Sequence, residues 1–151
     1  MEAKTLVEIG GGGHPSKKKD GFINVDLLPV NEFVDISCDV SCERLPFDDK
    51  SVSEIYCKHC LEHIVDVKHF LNECHRVLDG KVNFIVPYGL WAGSFKPVHV
   101  QYITECWFDF LRKENSERVY GYKRWNIARM DYHKSNKGEI YELDVDLIPI
   151  K

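Results

Sequence analysis

Val7-Glu8-Ile9-Gly10-Gly11-Gly12-Gly13 is the stretch on which the reading of this chain turns. The apolar run Thr5–Ile9 predicts a short strand, and it passes without a break into four glycines. Glycine at a strand end permits positive φ and lets a ligand lie close against the main chain. Four in a row also give up a large conformational entropy, more than a plain connection would justify. Such a turn suits any nucleotide-like ligand: NAD, FAD, a nucleotide or S-adenosylmethionine (SAM).

Working outward, Ile23, Val25 and Leu27 predict a second strand over 22–28. A third follows over 34–40, with Val34, Ile36, Cys38 and Val40 on one face and Asp35, Ser37 and Asp39 on the other. A turn-rich segment with Pro46, Asp48 and Asp49 precedes a fourth over 54–58. From Asp66 the period changes: Val67, Phe70, Leu71, Cys74, Val77 and Leu78 recur at helical spacing, and Asp79-Gly80 reads as the stop. The run 82–86, bounded by Gly80 and Pro87, has the character of a strand buried on both faces. A loop with Gly89, Gly93 and Pro97 leads to a helix with Thr104 as its N-cap. In the last strand Tyr141, Leu143, Val145 and Leu147 alternate with Glu142, Asp144 and Asp146, which predicts one wet face. The polar turn 133–138 makes the final two strands a hairpin.

This order predicts one α/β domain over residues 1–151: an open, mostly parallel Rossmann-like sheet with a C-terminal antiparallel hairpin. Ligands of such sheets bind outside the carboxyl ends of the strands. That rule selects Gly10–His14, Asp26, Asp39, Cys57–His59 and Pro87–Gly89.

Two details separate the ligands. A dinucleotide rests its pyrophosphate on a helix that begins at the glycines. Here Pro15 and Lys17-Lys18-Lys19 follow, and the next strand arrives too soon for such a helix. SAM carries no phosphate and does without that dipole. Asp26 lies sixteen residues after Gly10, short of the dinucleotide spacing, yet a carboxylate there still accepts both hydroxyls of a free ribose. Asp39 can accept the adenine amino group while the Val40 N–H serves a ring nitrogen. The balance favours SAM.

The sequence resembles the class I SAM-dependent methyltransferases, in the branch with a shortened first connection. The resemblance rests on Val7-Glu8-Ile9-Gly10-Gly11-Gly12, Gly21-Phe22-Ile23-Asn24-Val25-Asp26, Asp39 through Leu45-Pro46-Phe47, and Ser51-Val52-Ser53-Glu54-Ile55-Tyr56. It continues through His59-Cys60-Leu61-Glu62-His63-Ile64, Glu73-Cys74-His75-Arg76-Val77-Leu78 and Pro97-Val98-His99-Val100. It implies that Glu8 is oriented toward the methionine amino group and that Gly10, Gly11 and Gly12 form the cradle. It implies further that Asp26 and Leu27 serve the ribose, Asp39 and Val40 the adenine, and Cys57, Lys58 and His59 the methionine and methyl group. The implied sheet has seven strands, the last inserted antiparallel. The missing first helix implies an open pocket, which a second copy or a partner chain would cover.

His59 and His99 are the candidate bases, because imidazole titrates near neutrality. Alignment of acceptor and sulfonium can supply much of the acceleration, so a base is not obligatory. Tyr88 and Trp91 are candidates for an acceptor wall. Cys57-x-x-Cys60, with His59 and His63, invites a zinc reading, but no second such pair accompanies it, and no metal is expected. The net charge of −4 argues against a nucleic-acid partner, and the short basic run Lys17–Lys19 reads as a solvated loop. No apolar run spans a bilayer and no export signal is recognisable, so a cytoplasmic protein with reduced thiols is expected. The expected activity is SAM-dependent methylation of a small molecule or glycan. The alternative is a SAM-binding or interaction module without transfer activity.

Overall fold

The computed structural model describes residues 4–151. Seven strands form one sheet in the order β3-β2-β1-β4-β5-β7-β6. They are β1 (Thr5–Ile9), β2 (Ile23–Asp26), β3 (Ile36–Ser37), β4 (Val52–Lys58), β5 (Leu78–Pro87), β6 (Trp125–Lys134) and β7 (Ile140–Pro149). The first five are mutually parallel, and β7 inserts antiparallel between β5 and β6. Helix α1 (Val67–Val77) crosses from β4 to β5; α2 (Glu105–Arg112) and α3 (Glu114–Arg118) lie between β5 and β6. The first crossover carries only a 3-10 turn, Lys18–Asp20.

Alternation along the strands divides the sheet into two unlike faces. Val7, Ile9, Val25, Ile55, Cys57, Val82, Phe84, Val86, Leu143, Val145 and Leu147 point one way and share a single core. The same core takes Phe70, Leu71, Cys74 and Val77 of α1 and Phe108 and Leu111 of α2. The other face holds Glu8, Asn24, Tyr56, Lys81, Asn83, Asp144 and Asp146, most of whose polar atoms pair with one another or with the connections after β1 and β2. Asn83 Nδ2 donates to Asp144 (2.6 Å) and Asp146 (2.8 Å). Arg129 donates to the same two carboxylates at 2.6 and 3.1 Å, and Lys81 reaches Asp146 at 3.3 Å. A sheet buried under helices on both sides would need apolar residues at these places. The polar ones make this a two-layer structure.

The structure refines several local expectations. The run 82–86 is largely buried on both faces as expected, but the second face, with buried Asn83 and half-buried Ile85, is polar rather than apolar. The wet face of β7 is instead a half-buried ion-pair network, with Asp146 only 8% exposed. Gly80 does not stop α1, since the chain turns extended at Leu78 and enters β5 directly. A Cβ on Gly80 would strike the Ser53 carbonyl of β4, so the glycine serves strand approach. Thr104 does stand before α2, but its hydroxyl makes no capping hydrogen bond. Lys17–Lys19 is also more than a solvated run: Lys18 pairs with Asp35 at 2.8 Å, and Lys17 sits 5.2 Å from the centre of the Tyr56 ring. Among the described residues, no helix is long and apolar enough to cross a membrane.

Candidate active site

The carboxyl end of the sheet carries two clefts that meet at His63. The first, about 500 Å³, is lined by Gly10, Asp26, Leu27, Asp39, Val40, Ser41, Cys60, His63 and Ile64, with Ile9, Val25 and Cys38 beneath. Its floor depends on Gly10. That residue sits at φ 76°, and a Cβ there would come within 2.6 Å of the Cys60 side chain, so the glycine loop's backbone packs directly against Cys60. Cys60 reaches that position because His59 also takes a left-handed conformation, φ 52°, uncommon outside glycine.

Each wall of this cleft has a polar handle. Asp26 accepts the Gly12 N–H on one oxygen (2.8 Å) and the Leu28 N–H on the other (3.0 Å), which fixes the carboxylate and leaves each oxygen further acceptor capacity. Asp39 accepts the Ser41 N–H at 3.0 Å. The Val40 N–H is given to no acceptor among the described residues. A cis-diol at Asp26 and an amino-substituted heteroaromatic ring at Asp39–Val40 match these groups, so the cleft fits a SAM adenosine.

The structure gathers some of the expected cofactor residues here and separates others. Gly10, Asp26, Leu27, Asp39 and Val40 line the cleft together. Gly12 adjoins it through Asp26, and Gly11 packs over the Asn24 side chain. Glu8 is buried, and both its oxygens accept main-chain N–H groups, from Ser16 and Lys17, each at 2.8 Å; it ties down the connection. Cys57 is wholly buried on the core face, where its hydrogen bond to Cys60 and its burial push the thiol pKa well up. Lys58 is exposed, and Cys60 takes the wall position in place of both.

The second cleft, about 700 Å³, lies over the ends of β4, β5 and β7 and is lined by His59, Glu62, His63, Trp91, His99, Tyr141 and Glu142 among others. His59 Nε2 lies 2.6 Å from Glu142, and its Nδ1 lies 3.6 Å from Glu62. These two carboxylates, Glu62 first, raise the imidazole pKa above its ordinary value. His99 is 7% exposed, with Nδ1 2.7 Å from the Ser94 carbonyl. Trp91 packs on Tyr141, whereas Tyr88 does not line this cleft. Sequence reasoning passed over Glu62 as a functional residue, and over Glu142, which arrives from a strand eighty-three residues away. A larger depression, lined by Asn72, Glu73, His75, Arg76 and Lys123 among others, opens at the amino ends of the strands, away from these groups.

Residues 24–86 match the family model described as "Methyltransferase domain". Solved structures share the whole arrangement. A SAM-dependent methyltransferase from Mesorhizobium loti has a TM-score of 0.68 at 13% identity, over 95% of this chain and 90% of that one. One from Aquifex aeolicus has a TM-score of 0.65 at 15% identity, over 97% and 82%. This is the fold of the class I SAM-dependent methyltransferases. A putative methyltransferase of Haloferax volcanii, solved in complex with the Trm112 methyltransferase activator, is similar at a TM-score of 0.66 and 17% identity, over 99% and 84%. No curated protein matches the chain in sequence. The domain match over residues 24–86 and the shared fold thus point the same way as the cleft, toward the fold of SAM-dependent methyltransferases. In this chain the connection after the glycines carries only the 3-10 turn Lys18–Asp20.

Proposed function

We propose that the chain, acting as one domain over residues 1–151, methylates a small-molecule or glycan acceptor held in the second cleft. The observation that carries this reading is the junction of the two clefts at His63. One side offers a carboxylate and a free backbone N–H for adenosine. The other offers imidazoles, carboxylates and the Trp91–Tyr141 pair for an acceptor. SAM, when bound, supplies an electrophilic methyl on a sulfonium. The chain's own part is to orient and exclude water. Asp26 and Asp39–Val40 fix the nucleoside, Gly10 and Cys60 give the floor along which the methionine portion runs, and Trp91 and Tyr141 take the flat or apolar part of the acceptor. His59, held by Glu142, is positioned to accept an acceptor proton.

Leu27, 68% exposed, and Leu28 and Val30 beside it leave the mouth of the first cleft apolar. We assign this rim to a second copy or a partner chain that closes the pocket. That rim also favours the second reading, a SAM-binding interaction module without transfer activity. The six free cysteines fit a reducing, cytoplasmic setting.

Calorimetric titration with SAM and S-adenosylhomocysteine tests the shared part. Saturable binding of either is expected, and no heat at millimolar ligand defeats the cofactor assignment at these residues. Product formation from labelled SAM across a panel of hydroxylated small molecules and oligosaccharides separates enzyme from binder.

A further inference from the structure

Glu62, His63 and His99 meet at the back of the second cleft, and they carry more order than an acceptor wall requires. Each offers one ligand atom, and the three atoms lie within 4.8 Å of one another. Glu62 is 2% exposed, and its Oε2 is buried with no hydrogen-bond partner. Its Oε1 faces His59 Nδ1 at 3.6 Å, but Oε2 has no partner, and a buried carboxylate oxygen is costly to leave so.

The imidazoles of His63 and His99 lie beside it. His63 Nδ1 lies 3.0 Å from the Val98 carbonyl and His99 Nδ1 lies 2.7 Å from the Ser94 carbonyl. A carbonyl oxygen only accepts, so each Nδ1 carries its proton and donates it. In the neutral ring each Nε2 is then a bare lone pair. His63 Nε2 lies 3.8 Å from Glu62 Oε1, and the two rings meet edge to face with centroids 4.9 Å apart. An imidazole whose far nitrogen is pinned to a backbone carbonyl is the usual arrangement of a metal-bound histidine. Two adjacent acceptor nitrogens and a buried carboxylate, with no donor among them, make a set that a cation completes.

We propose that Glu62, His63 and His99 bind one divalent transition-metal ion of the zinc class. Two nitrogens and one carboxylate oxygen suit such an ion better than magnesium or calcium, which favour all-oxygen sets. Bond lengths of about 2.0–2.2 Å put tetrahedral ligand atoms roughly 3.4 Å apart, so the cluster tightens slightly on loading. Three protein ligands would leave a tetrahedral ion one further coordination position, and the same cleft is lined by Trp91 and Tyr141. An oxygen ligand fits there, so the acceptor class narrows to a hydroxyl compound, most simply a vicinal diol of a sugar. That last step rests on the methyltransferase reading; the metal site does not. The site is distinct from the Cys57-x-x-Cys60 pair, in which Cys57 is buried on the core face and Cys60 lines the first cleft.

The test uses the full chain, prepared without a histidine tag and stripped by a chelator. Zinc alone, followed by calorimetry, is expected to bind at one equivalent. Cobalt substitution is expected to give weak visible d–d bands without the strong near-ultraviolet band of a cobalt–thiolate bond. His63→Ala and His99→Ala are each expected to weaken zinc binding roughly tenfold or more, while His69→Ala on α1 leaves it unchanged. Should either alanine variant fail to fold, the cobalt spectrum of the wild-type chain decides. Absence of saturable binding, a thiolate band, or unchanged affinity in both folded variants overturns the proposal. SAM binding, titrated separately on the metal-free protein, reports on the cofactor reading alone. If metal binds and methylation of diols does not follow, the acceptor assignment fails and the metal site stands.

Discussion

At Asp26 one carboxylate both braces the glycine loop and faces the cleft. Removing it takes away hydrogen bonds to a charged group, worth ~1.5–3 kcal/mol. Asp26→Ala is therefore expected to raise the dissociation constant for SAM about ten- to a hundredfold, and unchanged affinity would remove its ribose role. Gly10→Ala acts differently. A β-carbon there meets both a left-handed φ and the Cys60 side chain, so a loss of roughly 1–3 kcal/mol in urea denaturation is expected together with weakened SAM binding. Both residues were legible in the sequence, because a glycine turn and a strand-end carboxylate have local signatures. The Glu62–His63–His99 cluster was not. His99 arrives from a loop thirty-six positions after His63, and only the folded chain pins both Nδ1 atoms to carbonyls.

At the scale of elements, the crossover between α1 and β5 shows where local chemistry misleads. Asp79-Gly80 has the composition of a helix stop, yet the helix ends earlier because Leu78 already belongs to β5. What demands glycine at 80 is the backbone of β4, a long-range contact invisible to any window of sequence. Gly80→Ala is expected to cost more than about 2 kcal/mol, measured by urea denaturation, by forcing β4 and β5 apart. Gly13 is the contrast, since a Cβ there meets nothing within 4 Å. Gly13→Ala is expected to be neutral or to stabilise by ~0.4–1 kcal/mol through the unfolded chain. Equal effects at the two positions would refute this account. The long strands were easier to read: β7 declares itself by strict alternation, while β3 alternates over seven residues but ladders over only two.

Across the whole molecule, the departure from a three-layer sandwich is written in charged residues. Asp144 and Asp146 are partly desolvated, which raises their pKa, but Arg129 and Asn83 outweigh this and hold both below the usual carboxylate range. Groups depressed on folding stabilise the fold above their unfolded pKa, and that contribution fades as pH falls through the folded value. Arg129→Met is thus expected to lower the urea midpoint at ~pH 6, and the gap to wild type should narrow toward ~pH 3 and below. A gap independent of pH would mean that Arg129 acts by packing alone. The polar residues were visible in the sequence, but Asn83 hides in a run of apolar neighbours. Its meaning became readable only when β7, sixty residues on, set two aspartates opposite it.

His63 stands in the wall of both clefts. A single ring shared by two compartments is a thermodynamic link between them. If an occupant of one cleft draws the imidazole toward a preferred orientation, the occupant of the other finds the ring already settled or displaced. The resulting change in affinity must be the same factor in either direction. Cofactor and acceptor in this small chain would then report on one another through one side chain, without a moving domain to carry the message.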